Sequence, residues 1–163
     1  MATKALFTGS FDPLTNGHLN LIERASVIFD EVTVAIVVNF SKKSMFTLEE
    51  RTEMIEETVA HLGNVKVDKC AGLLADYVNK NGFNVIIRGL RNGTDFDYEL
   101  QMQQMNDWLL NDGIESVFLM TDPKYGFVSS SLMKEVLKLG GDIEGLVPDN
   151  ILKRMNDKFA ESK

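Results

Sequence analysis

The sequence predicts an α/β protein built on one doubly wound, five-stranded parallel sheet. Short apolar runs rich in β-branched residues alternate about five times with longer stretches of helical periodicity. This alternation is typical of a parallel sheet with helices on both faces. The second run, Val32 to Val38, is almost wholly apolar, as expected for a strand buried on both sides. The expected arrangement is therefore Rossmann-like, with ligands bound beyond the carboxyl ends of the strands.

Each element has its own signal. The predicted strands are, in chain order, 5–8, 32–38, 65–67, 85–87 and 117–120. One predicted helix carries Leu19, Ile22 and Phe29 on one face, and another begins with a capping-box pattern, Thr47 to Glu50. A further helix has an apolar stripe of Tyr98, Met102, Met105 and Leu109. We expect that stripe to face the core, since methionine stripes usually do. A polar last helix, 149–160, is expected to be peripheral.

Length and composition are those of a single globular domain over residues 1–163, with 44% hydrophobic and 25% charged residues. No apolar run is long enough for a bilayer, and the first residues lack the apolar stretch of a signal peptide. The lone cysteine, Cys70, cannot form an internal disulfide, which favours a cytoplasmic location and a buried structural role. The net charge of −7 speaks against a nucleic-acid partner, so an anionic ligand would need a local cluster of donors.

The first candidate site segment follows strand one and runs from Thr8 to His18. Gly9 permits a sharp turn or the close approach of a ligand to the backbone, and Thr15 or Asn16 can cap the next helix. His18 would then lie in the first helical turn, where free N–H groups attract phosphate and the dipole disfavours a charged imidazole. A neutral imidazole still donates one hydrogen bond. The alternative is that Gly-His merely begins a helix.

Two basic segments follow strands two and four. Lys42 and Lys43 can offer mobile charges to a phosphate, or can simply be solvated. Arg88 and Arg91 flank Gly89 and Leu90, and two guanidinium groups make a good anion clamp. The alternative for the arginines is ion pairing with a set of nearby carboxylates, namely Asp95, Asp97 or Glu99.

The fourth segment follows strand five and contains three serines, Ser129 to Ser131, at the start of a helix. Their hydroxyls and the free N–H groups suit the β- and γ-phosphates of a nucleotide. Plain N-capping by Ser129 or Ser130 is the alternative, and both readings can hold together.

These four segments, in this order, resemble the HxGH nucleotidyltransferase superfamily and within it the phosphopantetheine adenylyltransferases. Thr15 replaces the first histidine of the HxGH signature, as in that family, and the segment from Arg88 to Asn106 is highly similar to it. The departures are few. Thr8 stands where many members have proline, Ser10 where some have threonine, and Val128 where the serine motif has isoleucine.

The resemblance implies transfer of an adenylyl group from ATP to 4'-phosphopantetheine, giving dephospho-coenzyme A and pyrophosphate. It implies that His18 stabilises the transition state, aided by Ser10, Lys42 and Arg91. The acceptor would contact Ser10, Lys42, Leu74 and Arg88, with Tyr98 and Asn106 as weaker candidates. The implied ATP contacts are Ser10, Phe11, His18, Gly89, Leu90, Arg91, Glu99, Tyr125, Gly126, Phe127, Val128, Ser129, Ser130 and Ser131.

The resemblance also implies Mg²⁺ carried mainly by the ATP phosphates with no dedicated protein metal site, a homohexamer, and feedback by coenzyme A. The attack on the α-phosphate would be in-line and reversible, without a covalent enzyme intermediate. A phosphate monoester is already largely dianionic near neutral pH, so no general base is needed. Two rival functions stay open at this point. One is a sister adenylyltransferase acting on another acceptor, such as nicotinamide mononucleotide, and the other is a non-catalytic ATP sensor.

Overall fold

A computed structural model of the chain describes residues 1–162 and has the predicted α/β architecture. The chain alternates between strands and helices as the apolar runs predict. The strands are β1 Lys4–Gly9, β2 Glu31–Val38, β3 Val65–Ala71, β4 Val85–Leu90 and β5 Glu115–Met120. The α-helices are α1 Asn16–Ile28, α2 Leu48–Val59, α3 Leu74–Asn81, α4 Gly93–Leu109, α5 Ser130–Lys138 and α6 Asp149–Glu161, and a 3₁₀ turn spans Pro123–Tyr125.

The five strands are all parallel and lie in the order β3-β2-β1-β4-β5. The chain therefore winds outward from β1 in one direction and then returns to build the other half from β4. The carboxyl ends of β1 and β4 meet where the winding direction reverses, and this is where open parallel sheets hold their ligands.

Side chains of successive strand residues alternate between the two faces of the sheet. Ala5 and Phe7 join the larger core, together with buried residues of α1, α2, α5 and α6. Leu6 and Ile86 face the opposite side and pack in a smaller cluster with Val78 of α3. The sheet thus separates a deep core from a thinner layer under α3 and α4. Cys70 is fully buried in the thinner layer, as predicted.

The helix starts are fixed by side-chain caps. Thr47 accepts a hydrogen bond from the Glu50 N–H at 3.1 Å, and the Glu50 carboxylate accepts from the Thr47 N–H at 2.7 Å. The capping box predicted from the sequence is confirmed. Asn92 caps α4 in a similar way by accepting from the Asp95 N–H.

The prediction that the methionine stripe of α4 faces the core is wrong. No residue of α4 is buried, and Tyr98, Met102 and Met105 are each about half exposed or more. Trp108 on the same helix is 85% exposed. Helical spacing of apolar residues indicates an apolar face but does not say what covers that face.

The last helix is less peripheral than its polar composition predicts. Ile151 and Met155 of α6 are fully buried in the larger core. Arg154 pairs with Glu53 and Glu57 of α2 at 3.3 and 3.0 Å. Two apolar residues one turn apart are enough to anchor a helix whose other positions face water.

Within residues 1–162, none of the helices combines the length and the apolar character needed to cross a bilayer.

Candidate active site

A cavity of about 270 Å³ lies at the carboxyl ends of β1 and β4. Its walls come from the ends of these strands, the first turns of α1 and α5, and the start of α4. The lining side chains and backbone segments are those of Phe7, Thr8, Gly9, Thr15, Gly17, His18, Leu21, Arg88, Gly89, Arg91, Asp95, Glu99, Thr121, Tyr125, Val128, Ser129 and Ser130. We call this the central cavity.

His18 is held in the central cavity by the cap of α1. The Thr15 N–H donates to His18 Nδ1 at 3.0 Å, and the His18 N–H donates to Thr15 Oγ1 at 3.3 Å. The imidazole takes the place that glutamate or glutamine occupies in an ordinary capping box. Because Nδ1 accepts a hydrogen bond, the proton of the neutral ring is on Nε2.

The neutral state predicted for His18 is confirmed, and burial and a nearby charge both contribute to it. Burial of the ring, followed by the positive charge of Arg91, lowers the pKa of His18 from 6.5 to about 4. The ring also packs edge-on against Phe11, with 5.2 Å between the centroids. His18 is therefore a neutral hydrogen-bond donor with a fixed tautomer at ordinary pH.

Phe11 packs against the His18 ring and does not line the central cavity. The residue is buried and its backbone is in the left-handed region, with φ of 47°. A Cβ at Gly9 would lie 3.0 Å from the Phe11 ring. The close approach that Gly9 permits is thus an approach of Phe11 to the backbone of β1.

Arg88 is held on two sides by protein groups. Its Nε and Nη2 donate to the two carboxylate oxygens of Glu99 at 2.6 and 2.7 Å, and its Nη1 donates to Thr8 Oγ1 at 2.8 Å. A guanidinium has five N–H groups, so these contacts leave two of them for a ligand.

Arg91 makes a similar ion pair with Asp95, which lies on α4 one helical turn before Glu99. Its Nε and Nη2 donate to Asp95 at 2.9 and 3.2 Å, and its Nη1 donates to the Val128 carbonyl at 3.3 Å. The hydrogen bonds from Arg91 hold the pKa of Asp95 below its usual value. The ion pairing named as the alternative is confirmed for both arginines, and each also lines the central cavity, so the anion clamp stays a prediction.

Ser10 and Lys42 lie in a second cavity beside the first. This neighbouring cavity is also lined by Ser131 and Lys134, and Ser130 lines both cavities. The four sequence segments therefore converge on one region, but Ser10 and Lys42 do not share a wall with His18.

Asp12 joins the two loops that carry Ser10 and Lys42. Its carboxylate accepts from the Met45 and Phe46 N–H groups, both at 2.9 Å, and from Lys134 Nζ at 3.0 Å. These bonds hold the pKa of Asp12 low although burial, the largest single influence, raises it. Arg51 is buried and donates to the Ser10 carbonyl at 2.9 Å.

A third cavity brings together the residues expected to line the pantetheine arm. Leu74, Tyr98 and Asn106 surround it, and Arg88 and Glu99 connect it with the central cavity. Two residues of the α4 stripe that was predicted to face the core, Tyr98 and Met102, thus line this cavity.

The serine-rich start of α5 has a capping role in addition to its position in the site. Ser129 Oγ accepts from the Leu132 N–H at 3.1 Å, and Ser130 Oγ donates to the Pro13 carbonyl at 2.7 Å. Six of the expected ATP contacts do not line the central cavity. Ser10 and Ser131 line the neighbouring cavity instead, and Phe11, Leu90, Gly126 and Phe127 line none of the three cavities.

Sequence reasoning missed several residues that line these cavities or support them. Asp12, Arg51 and Lys134 become visible only when loops distant in sequence meet. Leu21 and Thr121 lack any chemical signature, yet a Cβ at Gly89 would lie 2.5 Å from Leu21 Cδ1. The absence of a Cβ at Gly89 therefore lets the Leu21 side chain of α1 lie directly against β4.

Comparisons with known proteins agree with this architecture. Residues 6–136 match the family described as cytidylyltransferase-like. The phosphopantetheine adenylyltransferase of Finegoldia magna is 50% identical over 157 residues, which cover 96% of each chain. A solved structure from Vibrio parahaemolyticus, described as a candidate nicotinate-nucleotide adenylyltransferase, superposes with a TM-score of 0.73 and covers 100% of this chain and 98% of its own.

The Vibrio parahaemolyticus protein is only 15% identical to this chain, so that likeness establishes the shared fold and nothing finer. The similarity to the Finegoldia magna protein extends over nearly the whole chain and includes all four site segments. The cytidylyltransferase-like match covers both strands at the switch point and the serine-rich start of α5. By sequence, the chain belongs to the phosphopantetheine adenylyltransferase family of cytidylyltransferase-like nucleotidyltransferases.

Proposed function

We propose that this chain transfers the adenylyl group of ATP to 4'-phosphopantetheine and thereby forms dephospho-coenzyme A and pyrophosphate. The observation that carries the proposal is the central cavity, where a neutral His18 and two oriented arginines meet the start of α5. Family membership supplies the acceptor, since the site geometry by itself favours only a phosphorylated one.

The attacking group is the acceptor phosphate, which is mostly a dianion near neutral pH because its second pKa is about 6. The reaction then forms a bond from that phosphate oxygen to the α-phosphorus and breaks the bond to the leaving pyrophosphate. No proton has to be removed from the nucleophile. The work left to the protein is positioning the two phosphates and stabilising charge in the transition state.

His18 is the group we assign to the α-phosphate. Its Nε2–H is a donor whose direction is fixed by the Thr15 hydrogen bond at Nδ1. A preorganised neutral donor stabilises developing charge without needing to reorganise during the reaction. A pKa of about 4 also prevents His18 from acting as a base at neutral pH with useful driving force.

We assign the acceptor phosphate to Arg88, Lys42 and Ser10. Arg88 would reach it from the central cavity, and Lys42 and Ser10 from the neighbouring cavity that adjoins it at Ser130. The pantetheine arm would follow the third cavity along α4.

We assign the leaving pyrophosphate to Arg91 and the start of α5. The cap made by Ser129 fixes that helix start while its own hydroxyl proton stays available for a phosphate oxygen. Free N–H groups and the helix dipole favour a negative charge there.

Mg²⁺ is expected to arrive with ATP, where it neutralises phosphate charge. Residues 1–162 hold no group of three potential metal-ligating side chains. The carboxylates that line the cavities, Asp12, Asp95 and Glu99, are each engaged by a basic side chain. We therefore propose that phosphate oxygens and water supply most of the ligands.

We further propose a homo-oligomeric enzyme, with six subunits as the family implies. The exposed apolar face of α4 supports self-association, since large exposed apolar patches usually mark interfaces. Feedback by coenzyme A and a cytoplasmic location are also proposed from the family's role. A lone buried cysteine fits a reducing compartment.

The test is pyrophosphate release with ATP and Mg²⁺ in the presence of each acceptor. Release should require 4'-phosphopantetheine and should be absent with nicotinamide mononucleotide. Binding of ATP without release for any acceptor would instead identify a non-catalytic sensor.

A further inference from the structure

The buried hydroxyl of Thr8 contacts Arg88 across the switch point of the sheet. Thr8 is 5% exposed, and its Oγ1 accepts from Arg88 Nη1 at 2.8 Å. Thr8 is also one of the positions where this chain departs from the pattern of many family members. No role in the reaction described above has been assigned to it.

The pairing of β1 with β4 places Thr8 and Arg88 next to each other. Phe7 of β1 is paired with Ile87 of β4, so Thr8 and Arg88 are the next residues along two adjacent parallel strands. Their side chains therefore leave the same face of the sheet. A β-branched side chain has few χ1 choices, so the Thr8 hydroxyl is well fixed once the strand is formed.

The Thr8 contact completes the orientation of the guanidinium. Glu99 holds the edge formed by Nε and Nη2, and Thr8 holds the remaining nitrogen, Nη1. The Glu99 side chain is 13% exposed and the Arg88 side chain 29%. Removing Thr8 Oγ1 would leave one further donor of this half-buried charged group unpaired, and the plane of the guanidinium would be less well defined.

We propose that Thr8 is a positioning residue that aims Arg88 at the phosphate of the acceptor. The proposal rests on the function proposed above, because it takes Arg88 to be the ligand of that phosphate. Thr8 acts through Arg88, so its effect should appear only with acceptors that carry the phosphate.

The experiment compares Thr8→Val, which keeps the shape and removes the hydroxyl, with Thr8→Ser, which keeps the hydroxyl. Binding of 4'-phosphopantetheine and of pantetheine, which lacks the phosphate, is measured by calorimetry without ATP. Thr8→Val should weaken phosphopantetheine binding by about three- to tenfold, the loss expected for one misdirected charged donor. Pantetheine binding should stay within about twofold of the unmodified chain, and Thr8→Ser should restore phosphopantetheine binding.

Turnover gives a second readout. For Thr8→Val the KM for phosphopantetheine should rise while kcat and the KM for ATP change little. If Thr8→Val weakened the binding of phosphopantetheine and of pantetheine equally, Thr8 would only support the shape of the cavity. That result would overturn the proposal. Normal phosphopantetheine binding by Thr8→Val, or failure of Thr8→Ser to restore it, would do the same.

A substitute variant covers the case of misfolding, and the activity of the unmodified chain separates failure of this proposal from failure of the proposed function. If Thr8→Val does not fold, Thr8→Ala replaces it, since alanine removes the hydroxyl without adding volume. If the unmodified chain released no pyrophosphate with phosphopantetheine, the proposed function would fail. If that chain is active and Thr8→Val matches it, only the role of Thr8 fails.

Discussion

At the scale of single residues, His18 caps a helix and is also the residue proposed to act on the α-phosphate, and the sequence cannot separate the two. Its Nδ1 accepts the Thr15 N–H and so caps α1, and its other nitrogen is the donor assigned to the α-phosphate. The alternative that Gly-His begins a helix is confirmed, and it is compatible with the proposed role of His18 in the reaction. The same hydrogen bond that starts the helix fixes the tautomer that donates.

Replacing His18 separates these two roles. We expect His18→Ala to lower kcat on the order of 10²–10³, the usual loss for one preorganised donor, with a much smaller change in ATP affinity. His18→Gln restores a capping side chain, so it should recover the melting temperature lost in His18→Ala without recovering full turnover. Steady-state kinetics, ATP titration and thermal unfolding of both variants check this. A defect mainly in ATP affinity, or rescue by added buffer bases, would remove His18 from this role.

The low pKa of His18 also predicts how stability depends on pH. The folded chain keeps His18 neutral until about pH 4, whereas the unfolded chain protonates it below 6.5. The unfolded state therefore binds more protons between these values, and the stability linked to His18 is lost as pH falls through that window.

Thermal unfolding of the unmodified chain and of His18→Gln at about pH 7 and about pH 5 measures this effect. The unmodified chain should lose more stability on acidification than the variant, because glutamine does not titrate. Equal losses in both chains would show that His18 titrates normally in the folded state.

At the scale of secondary-structure elements, the sequence predicted the features that depend on neighbouring residues. Hydrophobic periodicity predicts the strands, and the residue types at the helix starts predict the caps at Thr15 and Thr47. The parallel topology predicts that the four loops converge. The environments of α4 and α6 do not, because they depend on what packs against each helix. Contacts such as those of Asp12 with Met45 and Lys134 join distant segments, and a single sequence carries no signal for them.

The burial of α6 gives a stability prediction. Ile151 is fully buried among residues of the larger core. Ile151→Ala should lower the free energy of unfolding by about 2–5 kcal/mol, through lost burial and the cavity left behind. The matched control is Lys153→Ala on the same helix, which should change it by less than about 0.5 kcal/mol. Denaturant unfolding measures both, and an Ile151→Ala effect as small as the control's would make α6 peripheral after all.

At the scale of the whole molecule, the chain has a surface that its own fold does not cover. The apolar side chains of α4 lie on the same helix that supplies Asp95 and Glu99 to the arginines. Packing of another subunit on α4 would therefore stabilise the ion pairs of the site as well as bury apolar surface. Assembly and catalysis are expected to be coupled through this helix.

A charge on the exposed face of α4 tests whether this face forms an interface between subunits. Trp108→Glu should shift the chain toward smaller species in light scattering, since burying an unpaired carboxylate in an apolar interface is costly. Phe40→Glu is the control, because Phe40 is also highly exposed but lies outside α4. An unchanged mass for Trp108→Glu would exclude this face of α4 from the interface.

The two substrates are proposed to react directly with each other at the switch point of the sheet. The most direct test of this reaction is a single-turnover mixture of ATP, Mg²⁺ and 4'-phosphopantetheine analysed by mass spectrometry, with the terminal phosphate oxygens of the acceptor carrying ¹⁸O. We expect equimolar dephospho-coenzyme A and pyrophosphate, with all of the label in dephospho-coenzyme A and none in pyrophosphate. Pyrophosphate formed without dephospho-coenzyme A, or no pyrophosphate from a folded chain that binds both ligands, would contradict it.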